Sequence, residues 1–181
     1  MRKIIIDTDT ATDDAIALIM ALKCDYFDVL AITTVAGNVD LELATNNALY
    51  TCELCESQTP IFKGASGPLN RKLETSKFFH GRDGMGDTGP YEPSNKSKKD
   101  NAVDKIISLL KDNPHEIEII GIGPLTNIAE VFKKDPDTFR LIKNLYVMGG
   151  IGEGRGNITE FAEFNFWVDP DAANIVLNSG L

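Results

Sequence analysis

The stretch Ile4 to Met20, IIIDTDTATDDAIALIM, decides the fold. Three β-branched apolar residues, Ile4, Ile5 and Ile6, suit a strand buried on both faces, and the run ends abruptly in four carboxylates, Asp7, Asp9, Asp13 and Asp14. From Ala15 to Leu22 the apolar residues return at helical density. The spacing predicts a helix capped by Thr12 or Asp13, with its positive end turned toward the acidic loop. In open α/β sheets, ligands sit beyond the carboxyl ends of the strands, which is where this order puts the four carboxylates.

Asp is also a common cap and turn former, and that accounts for one or two of the four. Four within eight residues ask for more. Like charges this close repel and raise one another's pKa unless protons or a cation compensate. Carboxylate oxygens suit a hard divalent cation such as Ca²⁺ or Mg²⁺, and no His or Cys lies in the loop to favour zinc.

Outward from this stretch the chain alternates. Asp28 to Val35 reads as a second buried strand closed by Ala36-Gly37-Asn38, so Asn38 also stands at a strand's carboxyl end, either as a turn former or as a site residue. Leu41 to Cys55 has a helical pattern and Pro60 to Phe62 a short strand. Asn101 to Asp112 is an amphipathic helix with Val103, Ile106, Ile107 and Leu110 on one face. Glu116 to Ile122 is a strand, turned by Gly123-Pro124 into a helix from Leu125 to Lys133; Ile122 is best placed to offer a free carbonyl there. Leu141 to Met148 is the next strand, followed by a Gly-rich loop to Gly156, and Asp169-Pro170-Asp171 opens a helix to Asn178. Such alternation predicts a single α/β domain over residues 1–181, a doubly wound, mostly parallel sheet with helices on both faces.

Between Gly64 and Asn101 the rhythm breaks. Six of the fifteen glycines and three of the eight prolines fall here, marking a long loop, and such loops in compact domains commonly cover a site. His80, within it, reads from its immediate sequence as a surface turn residue more readily than as a ring facing a ligand. Lys96 to Asp100 reads as a solvated run.

With 181 residues and 43% hydrophobic content, the chain can bury a substantial core. Its net charge of −9 argues against nucleic acid and anionic membranes as partners and favours a small polar or neutral substrate. No apolar run is long enough to span a bilayer, and the N-terminus enters a strand without a signal-peptide pattern, which points to the cytoplasm. Cys24, Cys52 and Cys55 form no disulfide framework; Cys52-Glu53-Leu54-Cys55 lies in a predicted helix without a second pair to complete a zinc site.

Several segments together resemble the inosine-uridine-preferring nucleoside hydrolase family. They are DTDTATDD at Asp7 to Asp14, AGN at Ala36 to Asn38, GPL at Gly67 to Leu69, FHGRDGMG at Phe79 to Gly86, GPLTNIA at Gly123 to Ala129, VMGG at Val147 to Gly150, and the segment Gly156 to Ala173. Each is weak alone; their order and spacing carry the match. The resemblance implies a doubly wound α/β fold and hydrolysis of the N-glycosidic bond of ribonucleosides by a Ca²⁺-bound water. It implies Asp9 as general base and metal contact, Asp14 as bidentate metal ligand and the Ile122 carbonyl as backbone metal ligand. Asp13 is implied to bind the ribose 2′-hydroxyl, with Asp7 as a supporting carboxylate. Asn38, Asn157, Glu163 and Asn165 are implied to hold sugar hydroxyls, with Met148 lining the pocket and His80 near the base. Homodimers or homotetramers are implied as assemblies.

Two departures from the family pattern stand out. Thr10-Ala11 replaces the usual Pro-Gly, which costs no ligand. Family members also extend past residue 181, where another calcium-binding Asp and a His for the leaving base are found, so the chain is expected to be an N-terminal part of the domain and inactive or nearly so. Two rival readings share the first motif. A haloacid-dehalogenase-type phosphatase would use Asp7 as nucleophile and Asp9 as acid/base with Mg²⁺, but leaves Asp13-Asp14 and Asn157, Glu163 and Asn165 without a purpose. The other is a non-catalytic metal- or ribose-binding fragment.

Overall fold

The computed structural model describes residues 1–89, 91–99 and 101–181. In chain order the elements are β1 (Arg2–Thr8), α1 (Thr12–Leu22), β2 (Phe27–Thr34), α2 (Leu41–Leu54), β3 (Ile61–Lys63), α3 (Lys77–His80), α4 (Ala102–Asp112), β4 (Ile117–Gly121), α5 (Thr126–Lys134), α6 (Pro136–Phe139), β5 (Asn144–Val147), α7 (Phe164–Val168) and α8 (Pro170–Leu177). The five strands form one parallel sheet in the order β3-β2-β1-β4-β5. The chain winds outward from β1 to β3 and then returns to the other side of β1. That reversal makes the gap between the carboxyl ends of β1 and β4 a topological switch point, the crevice in which open α/β sheets bind ligands.

The alternation of β1 assigns its side chains to two cores. Ile4 and Ile6 pack with Leu18 of α1, Ala48 and Leu49 of α2, and Ile32 and Ile61. Ile5 faces the opposite layer, with Ile106 and Leu110 of α4, Ile128 of α5, Phe139 of α6 and Ala172 of α8. Helices therefore cover both faces, as the alternating pattern predicts.

Two local expectations change. The N-cap of α1 is Ala11, not Thr12 or Asp13, because the Asp14 carboxylate reaches back to accept the Ala11 N–H at 3.0 Å and starts the helix earlier. The last strand is shorter than the apolar run Leu141 to Met148. Its first residues are spent on a turn, with Leu141 N–H bonded to Thr138 O and Ile142 buried in the α4/α5 layer. The short helices α3, α6 and α7 were too brief to show a periodicity. Lys96, Lys98 and Lys99 are exposed, as a solvated run requires; Asp100 lies outside the described residues. Among the described residues, no helix is long and apolar enough to cross a membrane.

Ile106 is fully buried in the α4 face, so Ile106→Ala should lower unfolding free energy by about 2–5 kcal/mol in urea denaturation. Ile16 is 61% exposed on α1, and Ile16→Ala should change it by less than about 0.5 kcal/mol. Equal effects would contradict the two-layer arrangement.

Candidate functional site

β1 delivers Asp7 at its end and Asp9 just beyond, while Asp14 returns from the first turn of α1. All three are buried, and Asp7 and Asp9 have no exposed surface. Asp7 Oδ1 accepts from the Thr33 hydroxyl and, at 2.8 Å, from Asn127 Nδ2. Asp9 Oδ2 accepts the Asn38 backbone N–H at 2.6 Å, and Asp14 Oδ2 accepts Asn38 Nδ2 at 3.2 Å. Asp7 Oδ2 and Asp9 Oδ1 are buried with no hydrogen-bond partner among the described residues.

The backbone around Asp9 is cut to fit it. A Cβ on Gly37 would lie 2.2 Å from Asp9 Oδ2, and one on Gly123 would lie 2.8 Å from Asp9 Oδ1. These glycines follow β2 and β4, so the two strands flanking β1 both give up side chains to admit one carboxylate.

Burial dominates the electrostatics. It raises the Asp7 carboxyl to about 6 against the donors Asn127 and Thr33, which lower it. It raises Asp14 to about 7, with the Ala11 and Asn38 hydrogen bonds opposing and the Asp13 charge adding. Asp9 is driven well above the ordinary carboxylate value, first by burial and then by the adjacent Asp14. Without a compensating cation, the cluster holds protons at a pH where free carboxylates do not.

Above these carboxylates opens a cavity of about 200 Å³. Eight of the eleven residues singled out in the sequence line it: Asp13, Asn38, His80, Ile122, Met148, Asn157, Glu163 and Asn165; Asp7, Asp9 and Asp14 lie buried behind. Asp13 stands at the rim, its side chain 68% exposed. His80 is a correction to the surface reading: it is only 8% exposed, because Nδ1 pairs with the Thr12 hydroxyl at 2.8 Å and Nε2 lies 3.8 Å from Asp13. Across the cavity, Glu163 caps α7 through the N–H groups of Asn165 and Phe166 and also accepts the Gly150 N–H at 3.0 Å. Asn157 Oδ1 accepts the Phe164 N–H at 2.8 Å. Asn165 Nδ2 donates to the carbonyls of Ile122, at 2.9 Å, and Met148, at 3.1 Å, bracing the ends of β4 and β5.

Several side chains that matter here were not singled out from the sequence. Ser76, Phe78 and Phe79 line the cavity from the long loop, and Ile158 and Phe164 line it from the Gly-rich side. Asn127 joins Asp7 to the Thr34 carbonyl at 3.1 Å and the Ala65 N–H at 2.8 Å. Its signal was an amide on the first turn of a helix that starts at the same strand-end level as the acidic loop.

Oxygen donors and two partnerless buried oxygens suit a hard cation in kind. In number the side chains are few: among the described residues, no group of three or more His, Cys, Asp or Glu is placed to hold a metal ion.

A parallel sheet that reverses at a switch point, with helices on both faces and a cavity at its strand ends, is a Rossmann-like α/β architecture. The family model for inosine-uridine preferring nucleoside hydrolase matches residues 4–181, and the chain belongs to that family. It is 37% identical over 181 residues to uridine nucleosidase 1 of Arabidopsis thaliana, covering 99% of this chain and 54% of that protein. The solved structure of a plant nucleoside hydrolase, PpNRh1, superposes with a TM-score of 0.95 at 37% identity, over 99% of this chain and 57% of that one. A purine-preferring ribonucleoside hydrolase from Gardnerella vaginalis superposes with a TM-score of 0.94 at 34% identity, over 99% and 58%. The chain thus spans a little over half the length of these relatives.

The raised carboxyls have a consequence for stability. In the folded state Asp7 and Asp14 keep their protons to about 6 and 7, whereas in the unfolded chain they release them near 3.8. Folded protein therefore binds more protons across that window, and its stability falls as pH rises through it. Urea midpoints of chelator-treated protein should decline from pH 4 to pH 7, and Asp14→Asn should flatten the decline. A rise over the same range would contradict the buried cluster.

Proposed function

We propose that the protein hydrolyses the N-glycosidic bond of ribonucleosides to free base and ribose, with Ca²⁺ as cofactor. What carries the reading is the pair of buried acids Asp9 and Asp14, both bonded to Asn38, which lines a cavity edged with amides and carboxylates. Breaking a glycosidic bond develops positive charge on the sugar ring, and an anionic cluster stabilises that charge more than the neutral ground state. Ribose offers hydroxyls that are each donor and acceptor, and the rim supplies both functions.

In this reading Asp9, through the partnerless Oδ1, takes the proton of the attacking water. Asp9, Asp14 and the Ile122 carbonyl would hold the metal. When bound, Ca²⁺ would supply the positive charge that keeps both carboxylates ionised and would polarise that water. Asp7, fixed by Thr33 and Asn127, supports Asp9 from behind. Asp13 accepts from the ribose 2′-hydroxyl. Asn38, whose second amide hydrogen is uncommitted among the described residues, Asn157, Glu163 and Asn165 hold the remaining hydroxyls, with Met148 as an apolar wall. Among the described residues Glu163 Oε1 accepts one N–H, that of Asn165, and so keeps a lone pair for a hydroxyl. His80 stands on the side expected to meet the base. A homo-oligomer in the cytoplasm completes the proposal.

The phosphatase alternative is not favoured: Asp7, its nucleophile, is fully buried and held by two donors away from the cavity.

The assay, run on a version extended to the length of the family relatives, is release of base and ribose from a ribonucleoside without phosphate, lost on chelation and restored by Ca²⁺. Asp9→Ala should lower turnover by on the order of 10³-fold or more, because one side chain serves as base and metal contact. A near-normal rate in that variant, or phosphate release from a phosphomonoester by the wild type, would overturn the proposal.

A further inference from the structure

We infer that Ser76 is a positioning residue of the site, acting through Asn38 on Asp9 and Asp14. Asn38 is a bracket between the two carboxylates. Its backbone N–H holds Asp9 Oδ2 at 2.6 Å and its side-chain amide holds Asp14 Oδ2 at 3.2 Å. One residue thereby bridges both acids, taking Asp9 by Oδ2, while Asp9 Oδ1 has no partner among the described residues.

What keeps the bracket in place is Ser76. Its hydroxyl donates to Asn38 Oδ1 at 2.5 Å, and its backbone N–H donates to the Asn38 carbonyl at 3.1 Å. Ser76 is 5% exposed and Asn38 is 7% exposed, so water does not readily replace these bonds. The carboxamide plane is pinned at both ends. An acidic oxygen fixes its nitrogen and a hydroxyl fixes its oxygen. Without the hydroxyl, the plane is free to turn about its last torsion, and the amide hydrogen on Asp14 is no longer held.

Ser76 also begins α3, whose Lys77 pairs with Asp40 at 3.0 Å and whose His80 pairs with Thr12. Phe78 and Phe79 of this helix line the cavity. The Ser76–Asn38 pair is thus the joint through which the wall of the cavity is tied to the acids on its floor. Nothing in the motif around Asp7 to Asp14 requires a hydroxyl from a loop more than sixty residues away; the requirement comes from the orientation of one amide.

The inference rests on the proposed function for its effect on Ca²⁺, and its test has an arm that does not. In metal-free protein, hydrogen exchange of the Asn38 side-chain amide, followed by NMR, should speed up several-fold in Ser76→Ala and stay near wild type in Ser76→Thr, which keeps the hydroxyl. In calorimetric titrations without nucleoside, Ser76→Ala should weaken Ca²⁺ binding about three- to tenfold, the size of one buried hydrogen bond. In the background of Asn38→Ala the same change should add less than about twofold, because the residue through which Ser76 acts is gone. Unchanged amide exchange in Ser76→Ala, or full additivity with Asn38→Ala, would overturn the inference. If the wild type takes up no Ca²⁺, the proposed function fails, and the exchange measurement alone decides the role of Ser76.

Discussion

Three buried carboxylates, Asp7 and Asp9 at the end of β1 and Asp14 from the first turn of α1, are the constraint on which this structure turns. None of the ion pairs among the described residues reaches Asp7, Asp9 or Asp14. Burial of an acid without a cationic partner is unfavourable, and the molecule meets it with neutral donors: Thr33 and Asn127 for Asp7, the Asn38 backbone for Asp9, and Ala11 and the Asn38 amide for Asp14. These donors soften the cost without removing it, since all three acids remain above their ordinary pKa. Such a stored electrostatic tension is a common mark of a site that awaits a ligand.

The rest of the fold is arranged to make that burial feasible. β1 lies at the centre of the sheet, so its end is walled by the ends of β2 and β4. Gly37 and Gly123 keep those walls clear of Asp9. Asn127 brings the first turn of α5 to Asp7 and to the chain after β3, knitting both halves of the sheet across the switch point. A Cβ on Gly64 would lie 2.1 Å from Asn127 Oδ1, which is why the loop there can approach so closely. On the far rim, the Asn165 amide closes the ends of β4 and β5 from one side chain.

Much of this was legible in the sequence. Ile4 to Ile6 running into four Asp residues gave the central strand and the floor of the site, and the alternation that follows gave the two-layered parallel sheet. Eight cavity residues came from strand ends and a family resemblance. What escaped was set by tertiary packing. His80 read as a surface residue because its burial comes from Thr12 and Asp13, far away in the chain. Ser76 lay in a stretch without periodicity, and only the orientation of Asn38 gives its hydroxyl a purpose. The cap of α1 fell to Ala11, whose side chain offers no acceptor, and the Asp14 carboxylate reaches back from the first turn to the Ala11 N–H.

The central proposal, that Asp9 and Asp14 hold protons in the metal-free protein and exchange them for a divalent cation, is tested most directly by counting protons during metal binding. Calorimetric titration of Ca²⁺ at about pH 6, repeated in buffers of different ionisation enthalpy, reports the protons released per ion bound. The account predicts one bound ion with net proton release at that pH, because burial keeps protons on Asp9 and Asp14 that the bound ion displaces. Binding with no proton release at pH 6, or no binding at all, would contradict it.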